Sequence, residues 1–274
     1  MNKRKQVKQL KIIGSILVIL MLIFIFSDKL VTNEPNFTDL KVASLPPSSK
    51  YFFGTDAYGR CVFSRVLVGA KMSVYASLIL VFISMIIGSS IGIVSGYFGG
   101  AVDQLFMRIN DIILAFPSII LAIAIAGVLG GGVFNAGIAL LFTGWSAYSR
   151  LIRGSVIQIK QEAYIQAAKM SGAGNLEIIL HHILPNILGL IIVTASLQIS
   201  TMIVGFAGLS FLGLGAQPPT AELGFMISDG IKYVQLSPWT VLMPAITMIF
   251  TISMFNLFGD ILRDYAANTN AGTD

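Results

Sequence analysis

Six stretches between residues 12 and 258 are mostly apolar and approach or exceed the length needed to cross a lipid bilayer. Such a crossing takes about 20 residues of helix. The stretches run from about Ile12 to Phe26, Ser73 to Tyr97, Ile112 to Leu129, Phe134 to Ile152, Asn186 to Leu212 and Trp239 to Phe258. The first is short by this measure unless Leu10, Ser27 or their neighbours extend it. Backbone N–H and C=O groups find no water in hydrocarbon, so each run must pair its own as a helix. The expected fold class is therefore an all-α integral membrane protein with six transmembrane helices. Composition agrees, because 11% of residues are charged and mean hydropathy is +0.82. Soluble domains carry about a quarter charged residues.

Basic residues orient the spans. Of 18 Lys and Arg, five crowd the N-terminus (Lys3, Arg4, Lys5, Lys8, Lys11) against the first apolar run. Arg108, Arg150, Arg153, Lys160, Lys169 and Arg263 fall on the same side if all six runs cross. Basic residues flanking a first helix stay in the cytoplasm, so both termini are expected there. The N-terminus imitates a signal peptide, but no small-residue cleavage site follows it, and it reads as a retained helix. The chain then divides into residues 1–28 (cytoplasmic N-terminus and first helix), 29–70 (an extracytoplasmic segment), 71–260 (a membrane core with a cytoplasmic loop at 153–185) and 261–274 (a cytoplasmic tail ending in a frayed YAANTNAGTD).

Four local readings follow. Ser84, Gly88, Gly92 and Gly96 stand four apart, so they share one helix face and let another helix come close. GGAVDQLFMRIND reads as a short charged turn, and Pro117 as a kink or late start of the third span. Gly130, Gly131 and Gly132 read as a tight reversal.

Several chemistries are excluded. The formal charge of +5 lacks the aromatic interleaving that single-strand nucleic-acid binding uses. The one cysteine, Cys61, rules out an internal disulfide and a multi-thiolate metal site. His181 and His182 have no third ligand beside them and read as a polar flank. A nucleophile next to its base is missing, so the chain is not read as an enzyme. No mid-span carboxylate supports ion coupling, and no internal repeat echoes the inverted halves of secondary transporters. Without a GxxxxGK[ST] loop it cannot cradle nucleotide phosphates in that way.

The remaining puzzle is the polar segment KQEAYIQAAKMSGAGNLEIILHHILP at 160–185. Glu162 to Met170 is built largely of helix formers. Ala163, Ala167 and Met170 share a small apolar side, with Tyr164 and Ala168 beside them and Glu162, Gln166 and Lys169 as a polar rim. Gly172 stands where the helix should stop, Gly174 repeats that signal, and Pro185 marks re-entry into the membrane. A helix this short is unstable alone. It must lie against something, either its own spans or a cleft on a soluble partner.

Gln166-Ala167-Ala168, Gly172 and Ile183-Leu184-Pro185 resemble the signature loop of the permease subunits of binding-protein-dependent, ATP-driven importers. Residues 53–73 (FGTDAYGRCVFSRVLVGAKMS), 95–118, 210–227 and 255–264 resemble the dipeptide, oligopeptide and nickel branch, in particular its second-listed permease. Three positions depart from that pattern: Gln166 replaces a glutamate, Cys61 an aspartate and Leu223 a tryptophan.

The resemblance implies a type I ABC importer permease fold in the cell membrane. It also implies a heterodimer with a sister permease, two cytoplasmic ATPases and an extracytoplasmic substrate-binding protein. ATP and magnesium would belong to the ATPases, and this chain would hold no cofactor. Glu162, Ala163, Gln166, Ala167, Ala168, Gly172 and Pro185 would form the coupling loop. On the outer side, Asp56 and Arg60 of GTDAYGR would fix that segment to the helix ends. In the loop 213–238, Glu222, Asp229 and Lys232 are either solvent-facing charges or a contact with the delivering protein or part of an outer gate. The cargo would be a small peptide or nickel, free or chelated, with SGAG at 171–174 and TAE at 220–222 leaning towards nickel. The alternative is an ion-driven transporter or channel that works without an ATPase.

Overall fold

A computed structural model describes residues 3–270. In order, its helices are α1 (Lys3–Ile25), α2 (Ser27–Leu30), α3 (Val62–Phe98), α4 (Gly100–Leu114), α5 (Ser118–Leu129), α6 (Val133–Ile159), α7 (Ala163–Met170), α8 (Asn175–Glu177), α9 (Leu184–Phe211), α10 (Leu223–Ile231) and α11 (Trp239–Asn270). A π-helical stretch, Ile178–Ile183, joins α8 to α9, so the helix is continuous from Asn175 to Phe211. Among the described residues, four helical segments are long and apolar enough to cross a membrane: Gln6–Ile25, Val62–Phe98, Asn175–Phe211 and Trp239–Ala266. The bent pair α4 and α5 makes a fifth if counted as one span. The helix α6, at 27 residues, is about 40 Å long at 1.5 Å per residue, long enough but too polar for the same criterion.

Several expected boundaries move. The second span begins at Val62 rather than Ser73, so the polar segment ends at Cys61 and not at residue 70. Arg65 explains the difference. It is 1% exposed, and its Nη1 donates to the carbonyls of Pro35 (3.1 Å) and Pro219 (3.3 Å) and to Asn36 Oδ1 (2.9 Å). A charge so paired can sit inside a helix core, which its polarity in the sequence does not reveal. GGAVDQLFMRIND is a helix, not a turn. Its Asp103 pairs with Arg153 and its Asp111 with Arg150, both on α6. At Pro117 the late start holds rather than the kink: α5 begins at Ser118, and α4 and α5 meet at 89° across Ala115–Pro117. The helix α11 runs on to Asn270 where a frayed tail was expected; residues 271–274, and the side chains of Lys3, Arg4 and Lys5, lie outside the described residues.

The small-residue stripe of α3 is where the bundle is tightest. A Cβ on Gly88 would come within 2.3 Å of the Trp145 carbonyl, one on Gly92 within 2.7 Å of the Ser149 carbonyl and one on Gly96 within 2.9 Å of the Arg153 carbonyl. Only hydrogen fits there, and α3 and α6 lie backbone to backbone as the spacing implied. Around this pair are three apolar clusters. One joins α1, α3, α10 and α11 through Phe24, Val66, Leu223 and Phe255. The second joins α3, α5, α6 and α9 through Leu80, Ala126, Leu140 and Phe206. The third gathers Ile152, Val156, Ile165, Ile178, Ile183 and Ile187 beneath α7. The glycine reversal at 130–132 holds, all three residues having positive φ.

Candidate functional site

The segment after α6 is built to present one short helix. The Lys160, Gln161 and Glu162 amides fold back on the carbonyls of Val156, Gln158 and Ile159, ending α6 in a turn. The next helix, α7, opens with Glu162 in extended conformation, outside the helix it caps. It ends where Gly172, at φ +87°, reverses the chain. The Gly172 amide donates to the Lys169 carbonyl (3.0 Å) and the Ala173 amide to the Ala168 carbonyl (3.1 Å). These are the paired bonds of a Schellman stop, which takes glycine at the left-handed position. Gly174 does not repeat that stop. Its φ is −71°, and it begins α8.

One side of α7 is bolted down. Ile165 is fully buried in the third cluster. Below it, the Tyr97 hydroxyl donates to Asn175 Oδ1 at 2.9 Å, and Lys160 Nζ donates to the Tyr97 carbonyl. The ammonium groups of Lys160 and Lys169 lie 5.6 and 5.8 Å from the centre of the Tyr97 ring, an attractive geometry worth about 0.5–1 kcal/mol each at exposed sites. Asn186 Nδ2 donates to the Tyr164 hydroxyl at 3.3 Å. So α3, α6 and α9 all hold α7. Ala163, Tyr164, Gln166, Ala167 and Met170 remain exposed, Met170 at 89%. Ile165, Tyr97 and Asn175 were not anticipated; the signal for the first was its standing as the one branched aliphatic in EAYIQAAKM.

Two loop residues have a local structural role. Gln166 Nε2 turns back to donate to the Lys160 carbonyl at 2.9 Å, so its amide closes the loop on itself. Pro185 lies inside the continuous helix 175–211. Proline lacks the N–H that an interior position donates. The widened π turns immediately before it, and a bond from Asn186 Nδ2 to the His182 carbonyl (2.6 Å), carry the chain through without a break.

A compact polar cap closes the other end. Asp56 Oδ1 accepts from the Tyr58 and Arg60 amides, both at 2.9 Å, while Oδ2 accepts from Arg60 Nε at 2.6 Å. Arg60 Nη2 reaches Asp229 on α10 at 3.5 Å. Trp239 Nε1, at the start of α11, donates to the Thr55 carbonyl at 3.0 Å. Gly59, at φ +77°, lies so close to the Asp39 carbonyl that a Cβ would stand 1.8 Å from it. Asp56, Arg60 and Asp229 are thus brought together, and GTDAYGR is fastened to α10 and α11.

Glu222 is not with them. It is fully buried, not solvent-facing. Its Oε1 accepts from Ser73 Oγ on α3 at 2.6 Å, and its Oε2 from the Phe225 amide at 2.9 Å, capping α10. Burial pushes its carboxyl above the usual carboxylate range, against the opposing pull of bonds from Ser73 and the backbone amides. Two hydrogen-bond donors converge there, which removes the reason for a charged residue to face solvent.

The family model of the binding-protein-dependent transport system inner membrane component matches residues 88–268, from the α3 stripe through α7 to α11. The chain belongs to this family. It is a multi-pass cell-membrane protein and the permease subunit of an ATP-driven importer. It is 45% identical over 249 residues to a probable D,D-dipeptide transport system permease protein, DdpC, of Escherichia coli, covering 91% of this chain and 84% of the relative. Against the dipeptide transport system permease protein DppC of Alkalihalophilus pseudofirmus identity is 43% over 267 residues, covering 95% and 88%. Against the glutathione transport system permease protein GsiD of Escherichia coli it is 42% over 229 residues, covering 84% and 76%. A chain of the inward-facing MetNI methionine ABC transporter superposes with TM-score 0.53 at 20% identity, covering 70% of this chain and 94% of that one. The type I ABC importer permease fold is therefore the fold of this family member.

Proposed function

We propose that this permease is one of two paired subunits of an importer of small peptides, and that α7 is the helix through which a cytoplasmic ATPase moves it. In this reading the chain crosses six times, with α4–α5 as one broken crossing and α6 as another, and both termini are cytoplasmic. A sister permease completes the path, two ATPases hold ATP and magnesium, and a binding protein delivers cargo at the GTDAYGR end. The relatives named above transport dipeptides, D,D-dipeptides or glutathione, all short peptides, and this favours peptide over nickel as cargo.

The observation that carries the coupling role is the two-sidedness of α7. A helix of eight residues is too short to persist in water unaided, yet its ends are tied to three long helices while its small-residue face stays bare. Turning a 99:1 inward-facing bias around takes about 5.5 kcal/mol of differential binding. A helix that slid on its anchors would dissipate that, whereas Ile165, Tyr97 and Asn175 tie it to the spans. Exposed alanines at 163 and 167 let a partner's cleft close tightly over the helix.

The test is Ala167→Asp, which puts a charge on the bare face without touching Ile165. Co-purification of the ATPases with the permease pair should fall at least about tenfold, the scale of an unpaired charge at a contact, while membrane insertion is unchanged. Normal recovery of the ATPases with normal uptake sinks the coupling role. Calorimetry of the cognate binding protein against di- and tripeptides, free nickel and nickel chelates tests the cargo separately.

A further inference from the structure

On the membrane flank of the bundle, α3 and α6 leave a groove of about 630 Å³, within the size range of sites that hold small ligands. Tyr75, Ile79 and Ile83 form one wall, and Phe134, Ile138 and Leu141 the other. From Lys71 at its rim to Ile83 at its foot the groove follows α3 for about 18 Å, at 1.5 Å per residue. One leaflet of hydrocarbon is about 15 Å deep, half of a core of about 30 Å. The groove is therefore one leaflet long, apolar along its length, and charged at one end only.

That end carries a pair of opposite charges. Lys71 Nζ bonds to Asp28 Oδ2, and both side chains stay partly open to solvent. The pair ties α2 to α3 where the first apolar run ends, which in the six-crossing reading proposed above is the depth of the lipid headgroups. Exposed ion pairs contribute little, so a ligand offering both charges can open this one at small cost. An anionic headgroup would meet Asp28 and a cationic one Lys71. A zwitterionic headgroup satisfies both, phosphate at Lys71 and ammonium at Asp28. A primary ammonium can also donate hydrogen bonds to the carboxylate.

We infer that the α3–α6 groove is a binding site for a zwitterionic, amine-bearing phospholipid, one acyl chain lying in the groove and the headgroup clamped by Lys71 and Asp28. The site is remote from α7 and does not depend on the cargo.

The intact importer, purified in mild detergent with equimolar phosphatidylethanolamine and phosphatidylglycerol, is read by native mass spectrometry. Wild type should retain phosphatidylethanolamine over phosphatidylglycerol by roughly fivefold, the scale of a partly exposed charge contact. Asp28→Asn leaves Lys71 alone and should invert the preference towards phosphatidylglycerol. Ile79→Trp fills the groove and should reduce retention of both lipids. An equal retention of the two lipids by wild type, or a preference unmoved by Asp28→Asn, overturns the proposal. So does a photo-crosslinker at Ile138 that captures a protein chain instead of lipid, since a neighbouring helix would then occupy the groove.

Discussion

Glu222 shows how far a single residue's role can depart from its charge. It caps α10, receives a bond from Ser73 across 149 positions of sequence, and is fully buried. Its carboxyl titrates higher in the folded protein than in the unfolded chain. Between the two values the folded state holds the proton and the unfolded chain has released it, so stability falls as pH rises. This contribution is present below the ordinary carboxylate value of about 4.3 and is lost as pH climbs through the raised folded value. Glu222→Gln keeps an oxygen acceptor but cannot titrate. The wild-type complex should therefore lose melting temperature relative to Glu222→Gln as pH rises across that window, measured by thermal unfolding in detergent. Parallel pH curves would mean that the carboxyl meets solvent. Gln166 is a smaller instance of the same lesson. Its bond to the Lys160 carbonyl uses a donor that a glutamate lacks, so the departure from the family's usual residue has a local structural use.

At the scale of the element, period and spacing were informative where one face alone decides the outcome. The four-residue repeat from Ser84 to Gly96 marked the face on which α6 lies. Gly92→Leu should cost about 1–3 kcal/mol through overpacking, because its first side-chain atom would already stand 2.7 Å from the Ser149 carbonyl. Gly154→Leu, on the open side of α6 with nothing within 4 Å, should be neutral or slightly stabilising. Melting curves of both variants separate contact from mere helix propensity; equal effects would contradict the close approach. Where a helix is held by ion pairs, the sequence reading failed. The charges that made 99–111 look like a turn are the groups by which α4 grips α6, Asp103 to Arg153 and Asp111 to Arg150. The short helix α7 was legible in its glycine stop and small residues, but its anchors Tyr97 and Asn175 lie on other elements and have no local signature.

For the whole molecule, the two ends differ in kind: a knot of ion pairs and tight glycines at GTDAYGR, a bare short helix at α7. The six crossings proposed above would put these ends on opposite sides of the membrane. Cys61 is 2% exposed, and Cys61→Ser provides a background for single-cysteine labelling. An impermeant thiol reagent should label Ser49→Cys in intact cells, and Gly174→Cys only after permeabilisation. Labelling of Gly174→Cys from outside would invert the topology and remove the ATPase from α7.

The sequence by itself determined that this chain is a helical membrane protein, which stretches are apolar and where a polar segment interrupts them. Those properties follow from local composition and period, because a bilayer forces each run to satisfy its own backbone. The order and spacing of its motifs also carried the family. Tertiary structure decided what happens to polar groups. Whether Arg65 interrupts a helix or sits inside one, whether Glu222 faces water or Ser73, and whether residues 100–114 turn or coil depend on partners at 30 to about 150 positions' distance along the chain. A charge is costly to bury only when unpaired, and the pairing exists only once the helices have come together.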